Sequence, residues 1–178
     1  MKRCTWCNLN NPKYIEYHDH EWGKLNTDEE YLFEMLILES FQAGLSWQCI
    51  LNKREAFKEA YEDFDIDKVI EFDEEKIEQL RNNTNIIRNK LKIKASISNA
   101  KIFKSIQEEY QTFYDYLCTF THGQIIYETE KTTSALSVSI PWWRSHPIHE
   151  NRATQSIWTE PCNPLLRATK STKRATSA

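Results

Sequence analysis

The sequence predicts an all-α protein, and three observations carry that reading. Glycine occurs only 3 times in 178 residues, too rarely for a turn-rich β fold or a glycine-rich nucleotide loop. Apolar runs are repeatedly preceded by Thr, Ser or Asp at the position of a helix cap. Alternation of apolar and polar residues, the mark of a strand, is weak throughout.

The elements follow in order. Thr27-Asp-Glu-Glu30 has the form of a capping box and opens a helix that Gly44 should end. Ser46 is placed to cap a helix over 47–64. Asp65 and Asp73 are placed to cap shorter ones over 66–72 and 74–82. Asn82-Asn-Thr-Asn85 is a turn cluster. The pattern beyond it predicts a long basic helix over 86–110 and a short one over 111–120. From Pro141 onward the text changes: four of the five prolines lie there, with six bases, two acids and no helical period. The chain therefore divides into a helical domain, 1–140, and a basic, loosely ordered tail, 141–178. Trp142, Trp143 and Trp158 would be exposed apolar surface in such a tail unless they dock on the body.

Composition bounds the function. With 40% apolar residues, 28% charged residues and a net charge of −3, the chain is globular. No run approaches the roughly 20 apolar residues of a membrane span, and the first residues lack a signal peptide's apolar run. A cytoplasmic location is expected, and nothing suggests an oligomer interface, so a monomer is expected. The five cysteines should then be thiols or metal ligands. The charge is strongly segregated. Residues 54–78 hold eleven acids and four bases, whereas 79–107 hold seven bases and no acid. So long a basic run points to an anionic partner, against the usual reading of a solvated helix face.

Three groups can carry chemistry. Glu39 falls in the middle of the apolar face of its helix, with Leu32, Met35, Leu36 and Ala43 around it. A carboxylate there is either a structural acid paired with a base or a polar group held ready for a ligand. Trp6, Tyr14, Tyr17, Trp22, Tyr31, Phe33, Phe41 and Trp47 crowd the first fifty residues. They are an aromatic core, from which two or three rings can form a stacking pocket for a flipped base. Cys4-x-x-Cys7 with His18-Asp-His20 offers tetrahedral zinc ligands, against two ordinary thiols and two surface histidines.

Taken together, the strings resemble the DNA-3-methyladenine glycosylase I family. They are Arg3-Cys-x-Trp6, Tyr14-x-x-Tyr17-His-Asp-x-Glu-Trp-Gly23, Leu32-Phe-Glu-Met35, Leu38-Glu39 and Gln42-Ala-Gly-Leu-Ser-Trp47. Leu51-x-Lys-Arg-Glu55, Phe64-Asp65, Ile86-Ile-Arg88, Asn99-Ala100 and Thr132-Thr-Ser-Ala-Leu-Ser137 extend the likeness over about residues 1–140. The resemblance implies a helix-hairpin-helix glycosylase fold. It implies hydrolysis of the N-glycosidic bond of 3-methyladenine in alkylated double-stranded DNA by base flipping, the first step of base excision repair. It gives Glu39 the role of the pocket acid, Trp47 that of the stacking ring, and Trp6, Tyr14, Tyr17 and Trp22 the rest of the pocket. Gly44 and Leu45 match the turn that presses into the DNA. The hairpin, with Arg88, Lys90 and Lys92 after it, is expected at phosphates. Cys4 and His18 match two of four structural zinc ligands.

The likeness stops abruptly after about Ile140. His146, His149 and Cys162 match neither the spacing nor the context of the second ligand pair, so the zinc site is expected to be incomplete. The break has the look of a frame change in the coding sequence. The alternative reading is then a catalytically impaired, DNA-binding remnant of the enzyme.

Overall fold

The computed structural model describes residues 3, 4 and 6–121, with the backbone alone at Thr121. The expectations placed on residues 122–178, including the tail from Pro141, lie outside the described residues.

Local chemistry sets where each helix begins. Helix α1 (Pro12–Glu16) starts at Asn11, whose side chain accepts the Lys13 N–H; Pro12 occupies the first turn, where a missing N–H is harmless. It passes into a π-helical turn, Tyr17–Glu21, closed by the Trp22 N–H donating to the Tyr17 carbonyl at 2.8 Å. Helix α2 (Glu29–Gln42) is capped by Asp28, which accepts the Tyr31 N–H at 2.9 Å. The cap lies one residue after the expected Thr27. Gly44, at φ +81°, follows the end of α2, as its position predicts. Ser46 caps α3 (Trp47–Ala60), Asp65 caps α4 (Ile66–Ile70) and Asp73 caps α5 (Glu74–Asn82).

Two boundaries differ from expectation by four residues each, more than the others. Helix α3 stops at Ala60, before a 3-10 turn, Glu62–Phe64, whose residues have φ of 54°, 58° and 59°. Burial holds this left-handed turn: Tyr61 and Phe64 are both buried, with rings stacked 5.8 Å apart. Helix α6 (Lys90–Tyr110) begins four residues later than the apolar pattern implied. The Asn89 side chain accepts the N–H groups of Leu91 and Lys92, and that cap outweighs the apolar pair Ile86–Ile87. Ile86 is instead buried within the turn. Helix α7 (Phe113–Thr121) completes the described chain.

Helix α2 is the centre of the fold. Every residue from Leu32 to Phe41 except Glu34 is buried. Helix α6 lies antiparallel along it, with Phe103 at 5.3 Å from Phe33 and Lys92 reaching the Phe41 carbonyl. Phe113 of α7 stacks on Phe103 at 4.1 Å. The Glu29 carboxylate accepts the N–H groups of Phe113 and Tyr114, placing a negative charge at the N-terminus of α7. A smaller cluster, Tyr17, Met35 and Leu51, lies apart from the main core, bordered by Trp6, Tyr14, Trp22, Tyr31 and Trp47. No helix among the described residues is long and apolar enough to cross a membrane.

The two charged runs of the sequence meet each other. Lys90 pairs with Glu78 at 2.5 Å, Lys94 with Glu74, Lys104 with Asp67 and Arg81 with Glu78. Much of the expected anionic partner of the basic run is thus the acidic run of the same chain. Arg88 is exposed and has no ion pair or hydrogen bond among the described residues.

Candidate functional site

The site grows from the second cluster. Met35 and Glu39 stand one turn apart on α2, so their side chains share a face. Glu39 is 5% exposed, and its Oε1 has no hydrogen-bond partner among the described residues. No basic residue among the described residues pairs with it, so the alternative of a structural ion pair has no support within them. Burial alone pushes its carboxyl well above the usual carboxylate range. Tyr17 lies near enough to feel its charge. Burial first, and then Glu39, raise the Tyr17 phenol, which therefore remains a neutral group.

Rings wall this carboxyl. Tyr17 and Trp47 meet edge to face at 5.4 Å, and the Trp47 indole Nε1–H is buried without an acceptor. Trp6 contacts Tyr14 at 5.6 Å and Trp22 at 5.0 Å. The six residues named for the pocket from sequence (Trp6, Tyr14, Tyr17, Trp22, Glu39 and Trp47) therefore fall in one neighbourhood. An unsatisfied acid and an unsatisfied indole donor beside aromatic rings make a site for a flat, polar-edged, electron-poor molecule. Gly44 and Leu45 are exposed two to three residues before Trp47, so they stand at the rim of this site.

Sequence reasoning missed what supports the π-helical turn. Arg54 of α3 donates to both oxygens of Glu21 in that turn and to both of Glu34 in α2, at 2.7–2.9 Å. Burial works against the Arg54 charge, but the two carboxylates outweigh it and raise its pKa. A signal existed: Ile50, Leu51, Arg54 and Phe57 share a helical stripe, so an arginine sits on an apolar face just as Glu39 does.

Two of the lysines expected at phosphates have partners within the protein. The Lys92 ammonium does not face solvent; it donates to the carbonyls of Phe41 at 2.9 Å and Ala43 at 2.6 Å. Burial lowers its pKa. Lys90 is engaged with Glu78 and Glu74. The reason is the charge pattern itself, because acidic α5 and the carbonyl-rich end of α2 lie closest to the start of α6.

Comparison with known proteins decides the family. The sequence profile described as Methyladenine glycosylase matches residues 6–144. The chain belongs to the methyladenine glycosylase family. Its resemblance to DNA-3-methyladenine glycosylase 1 of Escherichia coli (strain K12) is 42% identity over 124 residues, 70% of this chain. The chain spans 66% of the length of that relative. A solution structure of 3-methyladenine DNA glycosylase I superposes with a TM-score of 0.71 at 32% identity, covering 95% of this chain and 90% of that one. A crystal structure of a tyrosine-to-phenylalanine variant of a 3-methyladenine DNA glycosylase I in complex with 3-methyladenine superposes with a TM-score of 0.67 at 28% identity, covering 95% of this chain and 88% of that one. The helical methyladenine glycosylase fold is thereby established for this chain.

The two zinc candidates are neighbours. The Cys4 N–H donates to His18 Nε2 at 3.2 Å, so that nitrogen carries no proton and Nδ1–H must donate to Asp19 at 2.8 Å. The Nε2 lone pair, which a metal would need, is thus engaged by the Cys4 N–H. Arg3 in turn holds Asp19 by a fork of hydrogen bonds, and the hydrogen bonds from Arg3 and then His18 hold the Asp19 carboxyl well below its usual range. His20 is on the surface beside Glu16, and the buried Cys7 thiol is within 3.8 Å of the Tyr14 carbonyl. No cluster of three or more His, Cys, Asp or Glu able to hold a metal occurs among the described residues. A structural zinc site needs four ligands, so the described residues supply at most half of one.

Proposed function

We propose that the protein is a DNA glycosylase that releases 3-methyladenine from alkylated double-stranded DNA, acting as a cytoplasmic monomer. The observation that carries this reading is the buried, unpartnered Glu39 carboxyl beside Trp47 and Tyr17. The chain's membership in a family of methyladenine glycosylases supports it.

The mechanism follows from charge. Methylation at N3 makes the base cationic within the nucleotide and a good leaving group. Extruding it costs a few kcal/mol, least for a damaged pair, and a stack on Trp47 offsets about 1–3 kcal/mol. Burial disfavours ionisation of Glu39 where no counter-charge is near. A cationic base supplies one, and the carboxylate accepts hydrogen bonds from its exocyclic amine. Water then adds to the sugar carbon and loses a proton, while the N-glycosidic bond breaks. The base leaves with the bonding pair and becomes neutral. No acid lies between Ile86 and Gln107, so this chain offers no aspartate after the hairpin to activate that water. Cys4 and His18 are proposed as half of a structural zinc site outside this chemistry.

The test is chromatography of bases released from methylated duplex DNA by the purified chain. Release of 3-methyladenine, with Glu39→Gln slowing release far more than DNA binding, is expected. No release from a folded protein would favour the inactive remnant, and equal rates for variant and parent would remove Glu39 from the mechanism.

A further inference from the structure

Two lysines brace two exposed turns against each other. One turn, residues 43–46, ends α2 and carries Gly44 and the exposed Leu45 at the rim of the Glu39 site. The other, residues 83–89, precedes α6 and carries the exposed, unpaired Arg88. Lys92 enters from α6, just beyond the second turn, and its ammonium binds the Ala43 carbonyl of the first at 2.6 Å and the Phe41 carbonyl in the last turn of α2 at 2.9 Å. Lys53 enters from α3, just beyond the first turn, and its ammonium binds the Thr84 and Asn85 carbonyls of the second at 3.2 and 2.9 Å. Each turn is thus gripped by the lysine that follows the other. The carbonyls concerned have no partner within a helix, and a cation is the donor that suits a helix C-terminus.

A pocket for a flipped base works only if the rim that replaces the base and the surface that holds the backbone keep a fixed spacing. Leu45 stands at that rim because Trp47 follows it by two residues. We propose that Lys53 and Lys92 are positioning residues, which fix the 43–46 turn relative to the 83–89 turn so that duplex DNA seats its extruded base against Glu39. This inference rests on the glycosylase reading. It assigns both lysines to the protein's own carbonyls, not to phosphates.

Lys92→Met and Lys53→Met separate the two roles, because a phosphate contact and a brace fail differently. Loss of a phosphate contact raises the half-saturating DNA concentration and reduces the salt slope of binding by about one. Loss of a brace leaves the salt slope unchanged and lowers the single-turnover rate at saturating DNA. The expected result for each variant is at least a tenfold slower saturated rate. Affinity for free 3-methyladenine, read by tryptophan fluorescence, should stay within about twofold of the parent. Lys92→Arg, which keeps a two-pronged donor, should recover much of the rate. A salt slope reduced by one with an unchanged saturated rate would overturn the proposal, as would an unchanged rate in both Met variants. If Lys92→Met does not fold, Lys53→Met and Lys92→Arg carry the same test. An inactive parent that also fails to bind 3-methyladenine would instead sink the glycosylase reading itself.

Discussion

Replacing Glu39 by glutamine should stabilise the protein, and by an amount that grows with pH. The side chain is buried, its Oε1 has no partner among the described residues, and burial is the one influence on its pKa there. An unfolded chain releases that proton near 4.5, the ordinary glutamate value, whereas the folded chain holds it to a higher pH. Between these two values the folded state binds more protons, so raising the pH favours unfolding. The contribution is fully present below 4.5 and is lost progressively until the folded-state pKa is reached. The slope is fixed by linkage at about 1.4 kcal/mol per pH unit. Glutamine has nearly the same shape and no charge to lose, and all other titrating groups are common to both proteins. Urea unfolding of parent and Glu39→Gln at pH 5, 6 and 7 should therefore show a difference that increases by about 1.4 kcal/mol per step and then levels off. The pH of levelling is the folded-state pKa. A difference that stays constant from pH 5 to 7 would mean that Glu39 ionises as freely in the folded protein as in water. Burial would then not hold the Glu39 proton above the ordinary glutamate range.

Other perturbations test other parts of the structure. Trp47→Ala should weaken binding of free 3-methyladenine by about 1–3 kcal/mol, the worth of one stacked base, as measured by calorimetry. Phe103→Ala removes a ring lodged between Phe33 and Phe113 and should cost about 3–5 kcal/mol in urea unfolding. Gly44→Ala meets no atom within 4 Å of the added Cβ, so its cost is the left-handed backbone alone, about 1–2 kcal/mol.

Legibility from the sequence followed the range of the forces involved. Asp65, Asp73 and Ser46 were readable as caps because each acts on N–H groups two or three residues away. Glu39 was readable as special because the helical period places it on an apolar face, although whether it was paired could not be told from period alone. The π-helical turn at Tyr17–Glu21 was not readable. Arg54 reaches it from 33 residues away, and the His18–Trp22 stack and Trp6 hold its other side. The turn at Glu62–Phe64 has no glycine to announce its positive φ; burial of Tyr61 and Phe64 imposes it. The pairing within the basic run was hidden for a related reason. Its composition announces an anionic partner but cannot say that Arg81, Lys90, Lys94 and Lys104 also pair with the acidic stretch immediately before it.

The position of Glu39 on α2 joins stability to function. A loop could relieve an unpaired carboxyl by turning it outward. Helix α2 cannot, because it is enclosed from Leu32 to Phe41 and clasped at both ends, by Asp28 at the start and Lys92 at the finish. The main core on one side of that helix resists local opening, and the aromatic cluster on the other excludes water from the acid. The same burial that makes a charged Glu39 unfavourable for folding raises its carboxyl well above the usual carboxylate range. Its electrostatic preference is then expressed in a medium of low dielectric, where it is strongest. A glutamate of the same sequence spacing on an exposed helix would hold neither its proton nor its place.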